Sequence, residues 1–160
     1  MHIREANEDD AKGIAPLMLD LYERWDRIEP VDRIDRDWFL SGKHIELLEK
    51  WITDEKRLSL IGEDDDMIIG YLMAEVLERE PFFQPVGCID EAYNLPAYRG
   101  MGIGSRMFDR AMQWFEHRDV SYVLVDTHSF DKEAVRYWEG RGFEEFNKVF
   151  KLDVQTYHRR

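Results

Sequence analysis

The stretch Tyr98-Arg99-Gly100-Met101-Gly102-Ile103-Gly104-Ser105 constrains this chain more than any other. Three glycines at alternate positions follow an arginine. After them Met107, Phe108, Ala111, Trp114 and Phe115 recur at helical intervals. Before them lies an apolar run, and Pro96 marks the junction. The pattern is strand, glycine-rich turn, helix. Such a turn aims backbone N–H groups at one point, at the positive end of a helix dipole, and so forms a cradle for phosphate or pyrophosphate. Glycine suits it because a Cβ would hold the ligand away from the backbone. Arg99 adds a fixed charge and a planar donor fork beside the cradle.

Two familiar phosphate motifs do not fit. A dinucleotide fingerprint counted from Gly100 puts Ser105 where its third glycine belongs, and it would open the chain rather than arrive near residue 100. A P-loop needs Gly-Lys-Ser/Thr, which is absent here. The net charge of −12 argues against nucleic acid as the main partner. An acidic surface attracts cationic small molecules or basic peptide segments, or serves solubility alone. Of 160 residues 44% are hydrophobic, enough to fold as one domain without disulfide staples. The single cysteine, Cys88, allows no internal disulfide and reads as a small buried hydrophobe in a strand. No long uncharged apolar run and no leader pattern are present, so a soluble, cytoplasmic protein is expected.

Along the chain, residues 2–6 read as a strand. Asn7, Glu8, Asp9 and Asp10 supply cap chemistry for a helix whose apolar face is Ile14, Leu17, Met18, Leu21, Tyr22 and Trp25. Pro16 either lies in its first turn or kinks it. Residues 26–37, with dense mixed charge and Pro30, read as an exposed connection. A second helix is expected over 38–52, with Leu47, Leu48, Trp51 and Ile52 facing the core. Strands follow at 57–62 and 67–77, joined by the acidic turn 63–66. That turn meets no register of a calcium loop, since none supplies both the glycine and the terminal glutamate. A strand at 86–95 leads into the glycine turn, and Pro81 and Pro85 bracket the loop before it. Residues 122–125 read as a buried parallel strand, 131–141 as a helix ended by Gly140 and Gly142, and 143–154 as one or two last strands. The tail from Tyr157 reads as frayed. The fold class is α/β, a mixed sheet of six to seven strands with helices on both faces.

The string from Arg99 resembles the Arg/Gln-x-x-Gly-x-Gly/Ala signature of GNAT-type N-acetyltransferases. About 30 residues on, residues 129–143 resemble the same family's late motif, Asn-x-x-Ala, an aromatic pair, then Gly-Phe. Ala134 matches, Trp138 stands where tyrosine is frequent, and Gly142-Phe143 closes it. The element order matches that fold from end to end, so the resemblance covers residues 1–160 as a single domain and implies a mostly antiparallel sheet. It implies acetyl-CoA as co-substrate, its pyrophosphate on the backbone of Gly100, Met101, Gly102, Ile103, Gly104 and Ser105. It places Ala92, Tyr93 and Asn94 at the end of the fourth strand, where the fourth and fifth splay apart to pair with pantetheine and polarise the thioester. Asp131, Ala134 and Trp138 would line the other wall. Two positions depart from the pattern. Asp131 replaces asparagine and can serve as a helix cap. Trp138 replaces the tyrosine proposed as acid for the thiolate, and an indole N–H donates no proton at neutral pH. A CoA thiolate is itself a fair leaving group.

Attack by a neutral amine needs a base, because an alkylammonium carries an extra proton in water. Asp90 and Glu91 precede the cofactor-pairing residues. Strand alternation lets one of them face the cleft, and a bulge can switch which. They serve as base, or only bind substrate charge. His128 is the reserve candidate. No histidine pair has ligand spacing, and metal is not implied. The expected function is direct acetyl transfer to a primary amine of a small molecule or peptide, entering over residues 26–37, Glu75 and the 81–85 loop, where Phe82 and Phe83 either cover the acceptor or pack the loop. A catalytically silent acyl-CoA sensor and a protein-interaction module on the same fold are the rivals. Neither nucleic acid nor membrane is expected as a partner, and a homodimer is left open.

Overall fold

The structure is a computed structural model that describes residues 1–29, 31, 33–78, 80–81 and 83–157. The expectations on Pro30 and Phe82, and on the tail at 158–160, fall outside the described residues. The chain divides into two compact units, Met1–Asp126 and Thr127–Arg160.

In the first unit, five strands form one sheet in the order β1 (His2–Glu5), β2 (Arg57–Asp64), β3 (Met67–Leu77), β4 (Val86–Asn94) and β5 (Val123–Val125). The first three pairings are antiparallel and β4–β5 is parallel. The β2–β3 hairpin is tighter than the acidic run suggests. Glu63 and Asp64 still belong to β2, and only Asp65 and Asp66 turn, both with left-handed φ of 47° and 62°. Aspartate tolerates that region better than most side chains do. Arg4 ties β1 to its neighbours. It donates to both Asp10 oxygens (2.7 and 2.9 Å) and to Glu63 (2.5 and 3.1 Å).

Each face of the sheet carries helices. Alternation along the strands decides which side chains they meet. On one face Ile61, Tyr71, Met73 and Tyr93 pack under α1 (Ala11–Ile28) and α3 (Gly42–Ile52), with Phe39 of the short α2 (Arg36–Phe39). On the other lies α4 (Ile103–Glu116), which buries Ile103, Met107, Phe108, Ala111 and Phe115. That contact is close: a Cβ on Gly87 would sit 2.6 Å from the Phe115 ring, and one on Gly62 would sit 2.7 Å from Ile103.

Asn7 caps the helical entry with a full capping box to Asp10. Pro16 is the sixth residue of α1, on its exposed side. It neither starts the helix nor ends it, because only one inner hydrogen bond is lost to it. The single helix expected over 38–52 is two, broken at Leu40 and Ser41, with the Ser41 hydroxyl capping α3. Leu47 is 47% exposed and leaves the core face to Leu48 and His44. The His44 ring stacks on Trp38, and its Nδ1 lies 2.6 Å from the Phe39 carbonyl.

In the second unit, α5 (Lys132–Glu139) and α6 (Val154–Tyr157) are helical. The strand or strands expected over 143–154 do not form among the described residues, so the sheet has five strands rather than six to seven. Phe146, Val149, Phe150 and Leu152 are exposed. Their near-alternation specifies the faces of a strand but no ladder partner, and strand geometry is held only by a ladder.

Candidate active site

Past Asn94 the chain makes one 3-10 turn, Pro96–Tyr98, and an extended Arg99 before the glycines. Gly100 and Gly102 have φ of +77° and +81°, a region that a side chain strongly disfavours. Space is not the constraint, since a Cβ at either would meet nothing within 4 Å. Gly102 is the N-cap of α4, and its carbonyl accepts the first helical bond, from Arg106 N at 3.0 Å. The N–H groups of a first helical turn have no acceptor within the helix. The first turn of α4 falls within residues 100–105, the stretch expected to cradle an anion. Ile103 is 2% exposed, so it contributes backbone only. Arg99 donates from Nε to the Asn94 carbonyl at 3.1 Å, and its guanidinium carbon lies 5.5 Å from the centre of the Tyr93 ring. The arginine is therefore held across the end of β4.

The β4–β5 ladder stops at Ile89 and Val125, while β3 accompanies β4 to Asn94. Beyond Ile89, β4 thus has a ladder on one side only among the described residues. Ala92, Tyr93 and Asn94 lie on this length. The Tyr93 side chain is not turned outward. It is 5% exposed, and its hydroxyl donates to Asp20 of α1. Gly70 makes room for Asn94: a Cβ there would sit 2.1 Å from Asn94 Oδ1.

The two carboxylates sit at a break in register. Met73 pairs with Glu91 and Ala74 with Ile89, so Asp90 is an extra residue on β4. This is a β-bulge, which lifts the strict alternation of faces along the strand. Directly paired residues share a face, so Glu91 lies with Met73 on the α1 face, as Cys88 does with Glu75. Asp90 interacts with Cys88 and Glu75, so both carboxylates reach that face. Glu91 is gripped at both oxygens. Tyr22 Oη donates to Oε1 at 2.7 Å, and Tyr71 Oη to Oε2 at 2.8 Å. Burial pushes its pKa up and the two phenol bonds pull it back. Asp90 lacks such help. Burial and then the Glu75 charge push it to about 6, with smaller lowering by the Cys88 thiol and Arg57. Its Oδ2 is buried with no hydrogen-bond partner among the described residues. Arg57 itself is spoken for, its Nε 3.2 Å from Glu75 and its guanidinium carbon 3.7 Å from the Trp51 ring centre. Burial and Asp90 push the Cys88 thiol up to about 12, which makes it inert as a nucleophile.

The remaining expected residues, Phe83 apart, belong to the second unit. Asp131 is buried and caps α5, its Oδ1 accepting from Ala134 N at 3.2 Å. Trp138 is 8% exposed, edge-on to Tyr137 and Phe143. The exposed His128 ring stacks on Phe130. Phe83 of the loop before β4 is fully exposed. Sequence reasoning assigned Tyr22 to the core face of α1 and passed over Tyr71 inside an apolar strand. The available signal was the demand itself, since a buried glutamate needs donors and a buried tyrosine needs an acceptor. Among the described residues no group of three His, Cys, Asp or Glu side chains could hold a metal ion, and no helix is long and apolar enough to cross a membrane.

The family profile described as acetyltransferase (GNAT) matches residues 18–143. The chain belongs to the GNAT acetyltransferase family. N-acetyl transfer is the activity that this membership carries. Among solved structures, the chain is similar to a mutant of the BH1408 protein from Bacillus halodurans, with 19% identity over 96% of this chain and 99% of that one, at a TM-score of 0.85. It is similar to a ribosomal-protein-alanine N-acetyltransferase from Brucella melitensis biovar Abortus 2308, with 17% identity over 96% and 100% of the two chains, at a TM-score of 0.69. It is also similar to AAC(6')-Iy in complex with the bisubstrate analog CoA-S-monomethyl-acetylneamine, with 19% identity over 95% and 96%, at a TM-score of 0.70. At these identities the likeness is one of fold. No curated protein matches the chain.

Proposed function

We propose that this GNAT protein moves the acetyl group of acetyl-CoA directly to a primary amine of a small molecule or peptide, with both substrates bound together, and that residues 1–160 work as one domain. The observation that carries the reading is the continuity of one short path. The β4 bulge at Asp90, the one-sided length of β4 and the glycine turn at α4 follow each other within residues 90–105. The family match crosses the boundary between the two units, which supports a single working domain.

The residues present fit the co-substrate. Positive φ at Gly100 and Gly102 gives a Cβ-free donor surface suited to a pyrophosphate, with Arg99 held beside it. The β4 backbone at Ala92, Tyr93 and Asn94 would receive pantetheine. Bound acetyl-CoA supplies an acetyl group activated as a thioester. Asp131, Ala134 and Trp138 are proposed as further cofactor-binding residues. Asp90 and Glu91 are proposed to take the proton that an alkylammonium must lose, and carboxylates raised toward neutrality suit that task. Asp20, Glu75 and Asp90 add negative charge to the α1 face, which favours cationic acceptors. A cytoplasmic setting fits a single inert cysteine and an acetyl-CoA substrate.

The test is thiol release from acetyl-CoA by the purified protein against a panel of primary amines, with retention on a CoA resin as the companion measurement. Turnover with at least one amine supports the enzyme. Retention without turnover across the panel would make it an acyl-CoA sensor, and loss of both would leave an interaction module.

A further inference from the structure

We propose that Tyr22 and Tyr71 are positioning residues whose phenol groups pin Glu91 as a fixed anion beside the β4 bulge, leaving Asp90 as the carboxylate that takes the acceptor's proton. This deepens the acetyl-transfer reading and rests on it. The geometry separates two side chains that look alike in sequence. Each oxygen of Glu91 already accepts a phenol O–H, from α1 on one side and from β3 on the other. Tyr71 is fully buried, and the Tyr22 ring is wedged against Trp25 and Phe39 at centroid distances of 5.3 and 5.1 Å. Neither donor can swing away without disturbing the core. Glu91 is thus held in one orientation, and the two phenol bonds favour its charged form against the burial that raises its pKa. Asp90, one residue earlier, has a buried oxygen without a partner among the described residues. Beside it stand Glu75 on β3, Arg57 on β2, and Cys88 and Glu91 on its own strand. Tyr22 and Tyr71 meet Glu91, and Asp126 after β5 acts on Cys88.

The proton inventory closes. The acceptor ammonium gives one proton to Asp90, which becomes a neutral acid. The freed nitrogen pair forms the C–N bond as the C–S bond breaks and its electrons leave on sulfur. A second nitrogen proton departs as the amide forms and neutralises the thiolate. Asp90 then returns its proton to solvent.

Glu91 has an electrostatic task in this division, since its fixed charge raises the proton affinity of Asp90. That gives the tyrosines a signature that mere packing would not have. In Tyr22→Phe and Tyr71→Phe, Glu91 loses a donor and protonates at higher pH, so its repulsion of Asp90 weakens. The ascending limb of the pH–rate curve should then move to lower pH, with kcat falling less than about tenfold. Glu91→Gln should move the limb the same way without flattening it. Asp90→Asn should flatten it and lower kcat roughly 10²–10⁴-fold. Side-chain carboxyl NMR titrations of the free protein, wild type and Tyr22→Phe, read the same coupling without turnover. Glu91 should titrate higher in the variant and Asp90 lower, so failure of this inference is distinct from failure of the acetyl-transfer reading. Tyr22 is partly exposed, which keeps the test alive if Tyr71→Phe does not fold. An unmoved limb and unmoved titrations would reduce the tyrosines to packing. A limb displaced to higher pH in the tyrosine variants, and flattened in Glu91→Gln, would make Glu91 the base and overturn the assignment.

Discussion

At the scale of single residues, Asp90 works against the fold. Its carboxyl is raised to about 6 in the folded state, against about 4 in an unfolded chain. The folded state therefore keeps a proton that the unfolded state has already lost, and stability falls as pH rises through that window. Asp90→Asn should raise the melting temperature at pH 7–8 and leave it unchanged near pH 3.5. Equal gains at both pH values would show that burial of Asp90 carries no such cost. Arg99 should behave differently, being anchored by Nε to the end of β4. Arg99→Ala should raise KM for acetyl-CoA, by the roughly 1.5–3 kcal/mol of a charge-assisted contact, and leave kcat nearly intact. A normal KM with reduced kcat would contradict a role in cofactor binding. The candidacy of residues 90 and 91 is legible in the sequence as two adjacent carboxylates before a glycine turn. Their unequal surroundings are not, because Tyr22 and Tyr71 lie 69 and 20 residues from Glu91.

At the scale of elements, the glycine turn carries the clearest expectation. Gly102→Val places a β-branched side chain at φ +81°, a strain of about 1–3 kcal/mol, and a Cβ where the cradle opens. The protein should keep its circular dichroism spectrum and lose calorimetric binding of acetyl-CoA. Unchanged affinity in a folded variant would show that this turn does not hold the cofactor. The turn and α4 are legible because local chemistry decides both: glycine for the backbone, a 3.6-residue period for the buried stripe. The break between α2 and α3 is less so, since Ser41 as a cap competes with an otherwise continuous pattern. Residues 143–154 mark the limit. Their pattern is strand-like, yet pairing is a long-range property that alternation does not contain.

At the scale of the whole molecule, charge and fold act together. The chain carries −12, and part of that charge gathers on the α1 face of the sheet around Asp20, Glu75 and Asp90. The Debye length is about 10 Å at 0.1 M salt and roughly 3 Å at 1 M. KM for a cationic amine should therefore climb with added salt, while KM for a neutral amine of similar size holds steady. Parallel changes for the two would assign the acidity to solubility. The overall architecture is largely legible, from β1 through α5, because consecutive elements pair with their neighbours.

The extra residue in β4 also bears on how the chain tolerates insertion and loss. On either side of Asp90 the pairing with β3 is regular, Ala74 with Ile89 and Met73 with Glu91. A chain lacking Asp90 would join those halves into an unbroken antiparallel strand without turning any other side chain to the opposite face. Most single deletions inside a central strand reverse everything beyond them. This one is frame-neutral. The shortened protein should fold at least as stably as the full chain and show no turnover, which would make the proposed base a detachable part, added to a sheet already complete without it.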